Sequence, residues 1–196
     1  AASDVYKRQN LVNDKRILNQ AEEPVKDLKK ENVVTFLNVG RHDERQKKLT
    51  RIIYAAEQLK KDNKKFRIIF IGDGPDTNFY KEEVKNKKLE HEIVFLGRKK
   101  NPYPYYKLCD CVVLSSDYEG YPVVYLESFI LNKPIITTNV SDSEQIEGQG
   151  IVVEKDETEI YKAMKDFIEK GYQITKQFDA KDYNNNIFNK LQEIIS

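Results

Sequence analysis

From Val33 onward, apolar runs alternate with amphipathic segments. "VVTFLNVG" (Val33–Gly40) reads as a buried strand closed by a glycine. "KKLTRIIYAAEQLKK" places Leu49, Ile52, Ile53, Ala56 and Leu59 at helical spacing. "FRIIFIG" is a second strand, ending at Gly72; "TNFYKEEVKNKKL" is a polar helix; "EIVFLG" is a third strand, ending at Gly97. "PYPYYKL" reads as a short turn or helix, "CDCVVLSS" as a fourth strand, "PVVYLESFILN" as an apolar helix and "KPIITTN" as a fifth strand. "GIVVE" makes a sixth strand and "ETEIYKAMKDFIEKG" another helix. The last segment, "KDYNNNIFNKLQEIIS", is helical with Ile187, Leu191, Ile194 and Ile195 on one side.

Strands this continuously Val/Ile-rich are buried on both faces. The pattern therefore predicts an α/β fold: a Rossmann-like parallel sheet with helices on both faces. Ligands of such sheets bind outside the carboxyl ends of the strands. Gly40, Gly72 and Gly97 stand at such ends, either close to a ligand or in plain tight turns. The stretch "NLVNDKRILNQAEEPVKDLKKEN" looks like a linker with a helical turn or two, and "AASDVYKRQ" before it shows no pattern.

Composition narrows the function classes. The 196 residues suffice for one domain with a sizeable core. Lys and Arg number 33 and Asp and Glu 32, so the formal net charge of +1 leaves no electrostatic footprint for nucleic acid. Clusters such as "KKDNKK" read as solvated helix ends. No apolar run is long enough for a transmembrane helix, and the N-terminus lacks a signal-peptide pattern. Cys109 and Cys111, placed in a strand, would point the same way. They are too few for a disulfide framework or a zinc site. They read as buried thiols in a reduced, cytoplasmic setting. His42 and His91 are isolated and read as surface residues.

The chemistry concentrates in "DYEGYPVVYLES" (Asp117–Ser128). Pro122 suits a helix start, and Asn132 followed by Pro134 suits its end, giving a helix over Pro122–Leu131. Glu119 precedes that helix and Glu127 lies about one and a half turns inside it, counting 3.6 residues per turn. Between them, free backbone amides form an anion site. Helix-dipole compensation accounts for Glu119 better than for Glu127. Asp117 and Glu119 would repel an anion unless they serve another part of the same ligand. A molecule with a central diphosphate and hydroxyls at both ends, such as a nucleotide sugar, satisfies both demands.

"EGYPVVYLE" resembles the E-x7-E signature of retaining glycosyltransferases of the GT-B fold, the large family-four group. "LNVGR", "GDGP", "VFLGR", "CDCVVLSS" and "NKPIITTN" resemble further motifs of that group, in the right order. The resemblance covers roughly Val33 to Gly171. It implies that Arg41 binds the donor diphosphate, with a basic partner at the next helix: Lys48 by register with Ile52 and Ile53, Lys47 as the alternative. Two cations would stabilise the charge on the departing nucleoside diphosphate. It implies that Arg98 lies near the base, that Gly72 lines the pocket, and that Gly120, Tyr121, Pro122 and Val123 form the phosphate turn. Pro122 supplies no N–H, where the family often has another pair. Glu127 would bind the ribose and Glu119 would position the transferred sugar. The chain has no Asp-x-Asp pair, so a metal-independent enzyme without a cofactor is expected, with a UDP- or GDP-linked donor.

A GT-B enzyme has two Rossmann-like halves, and the resemblance covers the donor-binding one. The expected organisation is residues 1–32 as linker, 33–171 as the nucleotide-sugar domain, and 172–196 as a helix that packs on an acceptor domain absent from this sequence. The expectation is a fragment that does not transfer sugar alone. The acceptor would be a glycan or a lipid-linked chain, in cell-envelope polysaccharide synthesis, with peripheral membrane association of the whole enzyme. A non-catalytic nucleotide-binding or assembly module on the same fold is the alternative. A dinucleotide-binding domain fits poorly, because Gly72-x-Gly74 lacks the third glycine and follows the second strand.

Overall fold

The computed structural model describes residues 11–120, 123–140 and 143–195. Strands β1 (Val34–Val39), β2 (Phe66–Ile71), β3 (Ile93–Phe95), β4 (Cys111–Leu114), β5 (Ile135–Thr138) and β6 (Gly150–Val153) form one sheet. All pairings are parallel, in the order β3-β2-β1-β4-β5-β6. The order reverses between β1 and β4, which is where a doubly wound sheet opens a crevice at its carboxyl edge. Helices α1 (Asp14–Ala21), α2 (Leu49–Lys61), α3 (Thr77–Asn86), α4 (Tyr103–Leu108), α5 (Val123–Ile130), α6 (Glu157–Lys170) and α7 (Ala180–Ile195) complete the fold. No helix among the described residues is long and apolar enough to cross a membrane.

Successive strand residues point to opposite faces, and each face carries its own core. Phe36, Ile68, Phe70, Val113 and Ile136 pack with α2, α3 and α6. Leu37, Ile69, Ile71, Val112 and Ile135 pack with α4 and α5. The continuous apolar runs follow from this two-sided burial. α5 ends as the sequence predicts, with Asn132 in the left-handed conformation (φ 52°) and Pro134 beyond it.

Three details differ from the sequence reading. The stretch read as a linker forms its expected helical turns as α1, capped by the Asn13 side chain, but α1 is docked through buried Ile17 and Ala21. Only one inward residue per turn makes that helix look polar. Asn101 and Tyr105 then fasten the following residues by hydrogen bonds to the Gln20 carbonyl (2.8 Å) and Asp27 (2.7 Å). Ile187 on α7 is buried within this chain rather than left for a partner, and Asn184 exchanges two hydrogen bonds with the backbone of Val12. The side chains of Leu191, Ile194 and Ile195 are not among those described. Cys109 caps the end of α4, before the strand begins, so it and Cys111 lie in the cores on opposite faces of the sheet.

His42 is also not a surface residue. It is fully buried, edge-on to the rings of Phe70, Tyr80 and Phe95, with Nδ1 2.9 Å from Thr77 Oγ1. Burial lowers its pKa, which keeps the ring neutral. Sequence spacing could not place it, because Gly72 and Gly74 make the room. A Cβ on Gly74 would stand 2.2 Å from the His42 carbonyl oxygen. His91 is exposed, as expected.

Candidate functional site

The carboxyl ends of β1, β2 and β3 are laced together by backbone bonds. Gly40 N–H donates to the Ile71 carbonyl (3.0 Å), Gly72 N–H to the Gly97 carbonyl (3.0 Å), and His42 N–H to the Asp73 carbonyl (3.1 Å). Above this floor lies a cleft of about 300 Å³ lined by Gly40, Arg41, Gly72, Asp73, Arg98 and Lys99, among others. Three residues picked from different motifs, Arg41, Gly72 and Arg98, thus meet in one place. Arg41 and Arg98 are exposed, and among the described residues neither has an ion-pair partner. Asp73 is held below the usual carboxylate range by hydrogen bonds from Thr77 and then from the Gly74 amide, with Arg98 adding attraction.

The loop after β1 and the loop after β4 meet across the switch point. Lys47 Nζ lies 2.6 Å from Glu119 Oε1, and Ser116 Oγ donates to the same oxygen at 2.5 Å. The Glu119 side chain is only 7% exposed. Ser115 Oγ reaches the carbonyls of Lys47 (2.8 Å) and Lys48 (2.9 Å), and Asp117 N–H donates to the Gln46 carbonyl (2.8 Å). Asp117 pairs with Arg51 at 2.7 Å. A side chain built on Gly40 would meet only Lys47 Cε, 3.8 Å away, which places Lys47 beside the cleft floor.

Of the two lysines offered as the basic partner, Lys47 meets Glu119 and Lys48 lies near other carboxylates. Lys48 sits in the left-handed conformation (φ 50°) just before α2, with its Nζ 3.8 Å from Glu44 and 4.0 Å from Asp117. That turn aims Lys47, the alternative, at Glu119.

Glu127 lies on α5 and is nearly buried, with Tyr106 donating to its Oε2 at 2.7 Å. Burial raises its pKa; hydrogen bonds from Tyr106 and Tyr103 oppose the rise. Val123 opens α5 and is exposed, as is Gly120 before it. Tyr121 and Pro122 lie outside the described residues, and with them the centre of the expected phosphate turn.

The sequence profile described as "Glycosyl transferases group 1" matches residues 19–185. The chain belongs to this family. It is 33% identical over 104 residues to the uncharacterized glycosyltransferase MJ1059 of Methanocaldococcus jannaschii, covering 53% of this chain and 25% of that protein. It is 28% identical over 139 residues to a Campylobacter jejuni enzyme named as an N-acetylgalactosaminyltransferase acting on a diphospho-undecaprenol glycan, covering 68% and 37%. The Anabaena protein Alr3699/HepE, solved with UDP, superposes with a TM-score of 0.69 at 18% identity, over 98% of this chain and 53% of that one. The fold is therefore one GT-B half-domain, and the chain spans a quarter to about two fifths of the length of these curated relatives.

Several residues around the candidate site escaped sequence reading. Arg51, Tyr103 and Tyr106 act through partners far away in sequence, and Ser116 through Glu119 three residues on. The tyrosines of "YPYY" carried a signal, since paired phenols three residues apart share one helix face. It becomes legible only when a buried acceptor is known.

Proposed function

We propose that this chain binds the nucleotide-sugar donor of a retaining group 1 glycosyltransferase, and that the whole enzyme transfers the sugar to a glycan or lipid-linked acceptor in cell-envelope polysaccharide synthesis. Arg41 and Lys47 take the diphosphate. Glu127 takes the ribose, Glu119 positions the transferred sugar, and Gly72 and Arg98 border the base. Two cations offset the charge of the departing nucleoside diphosphate, so the reading needs no metal. HepE, solved with UDP and with UDP-glucose, supports a UDP donor by likeness of fold; GDP is the other choice. An acceptor half supplied by the rest of the protein completes the site, so this chain alone turns nothing over.

The observation that carries the reading is the meeting of Arg41, Gly72 and Arg98 in one cleft over the ends of β1, β2 and β3, with Lys47, paired to Glu119, beside its floor. The test is thermal melting with UDP, GDP, ADP and CDP, on this chain and on the full-length protein. A ligand at a hundred times its Kd adds about 2.7 kcal/mol of stability. At about 2–4 °C per kcal/mol for a chain of this size, that is a rise of about 5–11 °C. One nucleotide should give it, and Glu127→Ala should reduce it. No rise with any nucleotide in the full-length protein would refute the donor role.

A further inference from the structure

Glu127 sits among Tyr125, Leu126 and Phe129 on the most apolar helix of the chain. It is 9% exposed, and among the described residues no lysine or arginine pairs with it. An ionised carboxylate in such a place needs hydrogen-bond donors. Two phenols on one face of α4 act on it. The Tyr106 hydroxyl donates at 2.7 Å to Oε2, and the Tyr103 phenol lies close enough to hold the carboxyl down as well. Their settings differ. Tyr106 is fully buried, whereas Tyr103 is half-buried and follows Pro102, which lines the cleft.

We propose that Tyr106 is a positioning residue that holds Oε2 of Glu127 and so presents the other oxygen to the vicinal hydroxyls of a ribose, while Tyr103 is a placeholder those hydroxyls displace. The proposal rests on the donor-binding reading. A fixed donor orients the acceptor before the ligand arrives, and an exchangeable one keeps the buried carboxylate satisfied when the site is empty. The groups facing this carboxylate are the phenols of Tyr103 and Tyr106 from α4. Arg16 of α1 acts on Tyr103, and the Cys109 thiol acts on Tyr106. Burial pushes the Glu127 carboxyl up and the phenols hold it down, so losing Tyr106 moves its titration to higher pH.

The test uses the full-length protein with selectively carbon-13-labelled glutamate, the Glu127 signal being assigned by Glu127→Gln. Carboxyl titration and nucleotide affinity against pH are measured for wild type, Tyr106→Phe and Tyr103→Phe, with the nucleotide of the four that binds tightest. For Tyr106→Phe the expected result is a carboxyl midpoint at higher pH and an affinity loss of tenfold or more near neutrality. The acid limb of its affinity profile should move by the same amount. Tyr103→Phe should bind equally or more tightly, having lost a competitor. If wild type binds nucleotide and the Tyr106→Phe midpoint matches it, or if both variants lose affinity alike with the pH limb unmoved, the proposal is overturned and the donor site stands. If wild type binds none of the four nucleotides, the donor-binding reading falls and this proposal falls with it.

Discussion

The three strand-end glycines, alike in sequence, should respond very differently to alanine. Gly72 has φ 140°, and a Cβ there would stand 1.8 Å from the Gly40 carbonyl oxygen. Both parties are backbone, so neither can swing away. Holding a non-glycine residue in that region costs about 1–3 kcal/mol. Overpacking adds about 1–3 kcal/mol. The sum, about 2–6 kcal/mol, lowers Tm by about 4–24 °C at 2–4 °C per kcal/mol. Gly97 shares the positive φ (67°) but has open space around it. Gly97→Ala should cost only the left-handed term, about 1–2 kcal/mol, or about 2–8 °C. Gly40 is not among the positive-φ glycines and meets only Lys47 Cε at 3.8 Å. Gly40→Ala should be neutral or raise Tm by about 1–4 °C, through a less flexible unfolded chain worth about 0.4–1 kcal/mol. Differential scanning calorimetry of the three variants tests the order. Gly72→Ala melting at or above Gly97→Ala would refute the argument from close approach.

Lys47→Met should weaken nucleoside diphosphate binding about 10- to 150-fold, the worth of one charge-assisted hydrogen bond, and Lys48→Met by under about threefold. Adding Glu119→Gln to Lys47→Met should recover part of the loss by removing the stranded carboxylate, and isothermal titration calorimetry reads all three. Glu127→Gln should raise Tm at neutral pH. The folded-state pKa of Glu127 is raised, so its contribution is fully present below the unfolded value and is lost as pH rises through the folded one. The advantage of glutamine should therefore vanish below the usual glutamate pKa of 4.5, and melting scans from pH 4 to 8 check it. Burial pushes the Cys109 thiol up to about 12 and raises Cys111 as well, so neither should react with a thiol reagent until the protein unfolds. Thiol titration with and without denaturant decides this.

What was legible in the sequence is what one segment determines by itself. The strands declare themselves because burial on both faces leaves no polar position in "CVVL" and only Arg67 in "FRIIFI". The end of α5 is written in Asn132 and Pro134, whose backbone preferences are local. Arg41, Gly72 and Arg98 were picked through the family resemblance of the motifs that close β1, β2 and β3, and the sheet order then brings those strand ends together. The failures share the opposite cause. His42 is buried by the rings of Phe70, Tyr80 and Phe95, with Gly72 and Gly74 allowing the close approach, all 28 or more residues away. Lys47 faces Glu119 because Lys48 takes a left-handed turn that no residue preference announces. The partners of Glu127 come from the helix before β4, a relation visible only once β4 and α5 are folded back on α4.

The acidic residues around the turn after β4 looked, in sequence, like an obstacle to an anion. Folded, they are spent before any ligand arrives. Asp117 faces Arg51 and Glu119 faces Lys47, both across the switch point. Among the charges lining the cleft that no ion pair holds, Arg41 and Arg98 outnumber Asp73, so the edge of a nearly neutral chain attracts anions where its strands end. The pairing also orders Lys47. A lysine has three donors, and holding Glu119 with one leaves two for a phosphate. Breaking such a pair by removing one partner strands the other charge away from water, at a cost of about 3–5 kcal/mol for a fully buried pair. Lys47 and Glu119 are partly exposed, at 21% and 7%, so their penalty is smaller, and it should appear as lost nucleotide affinity more than as lost folding.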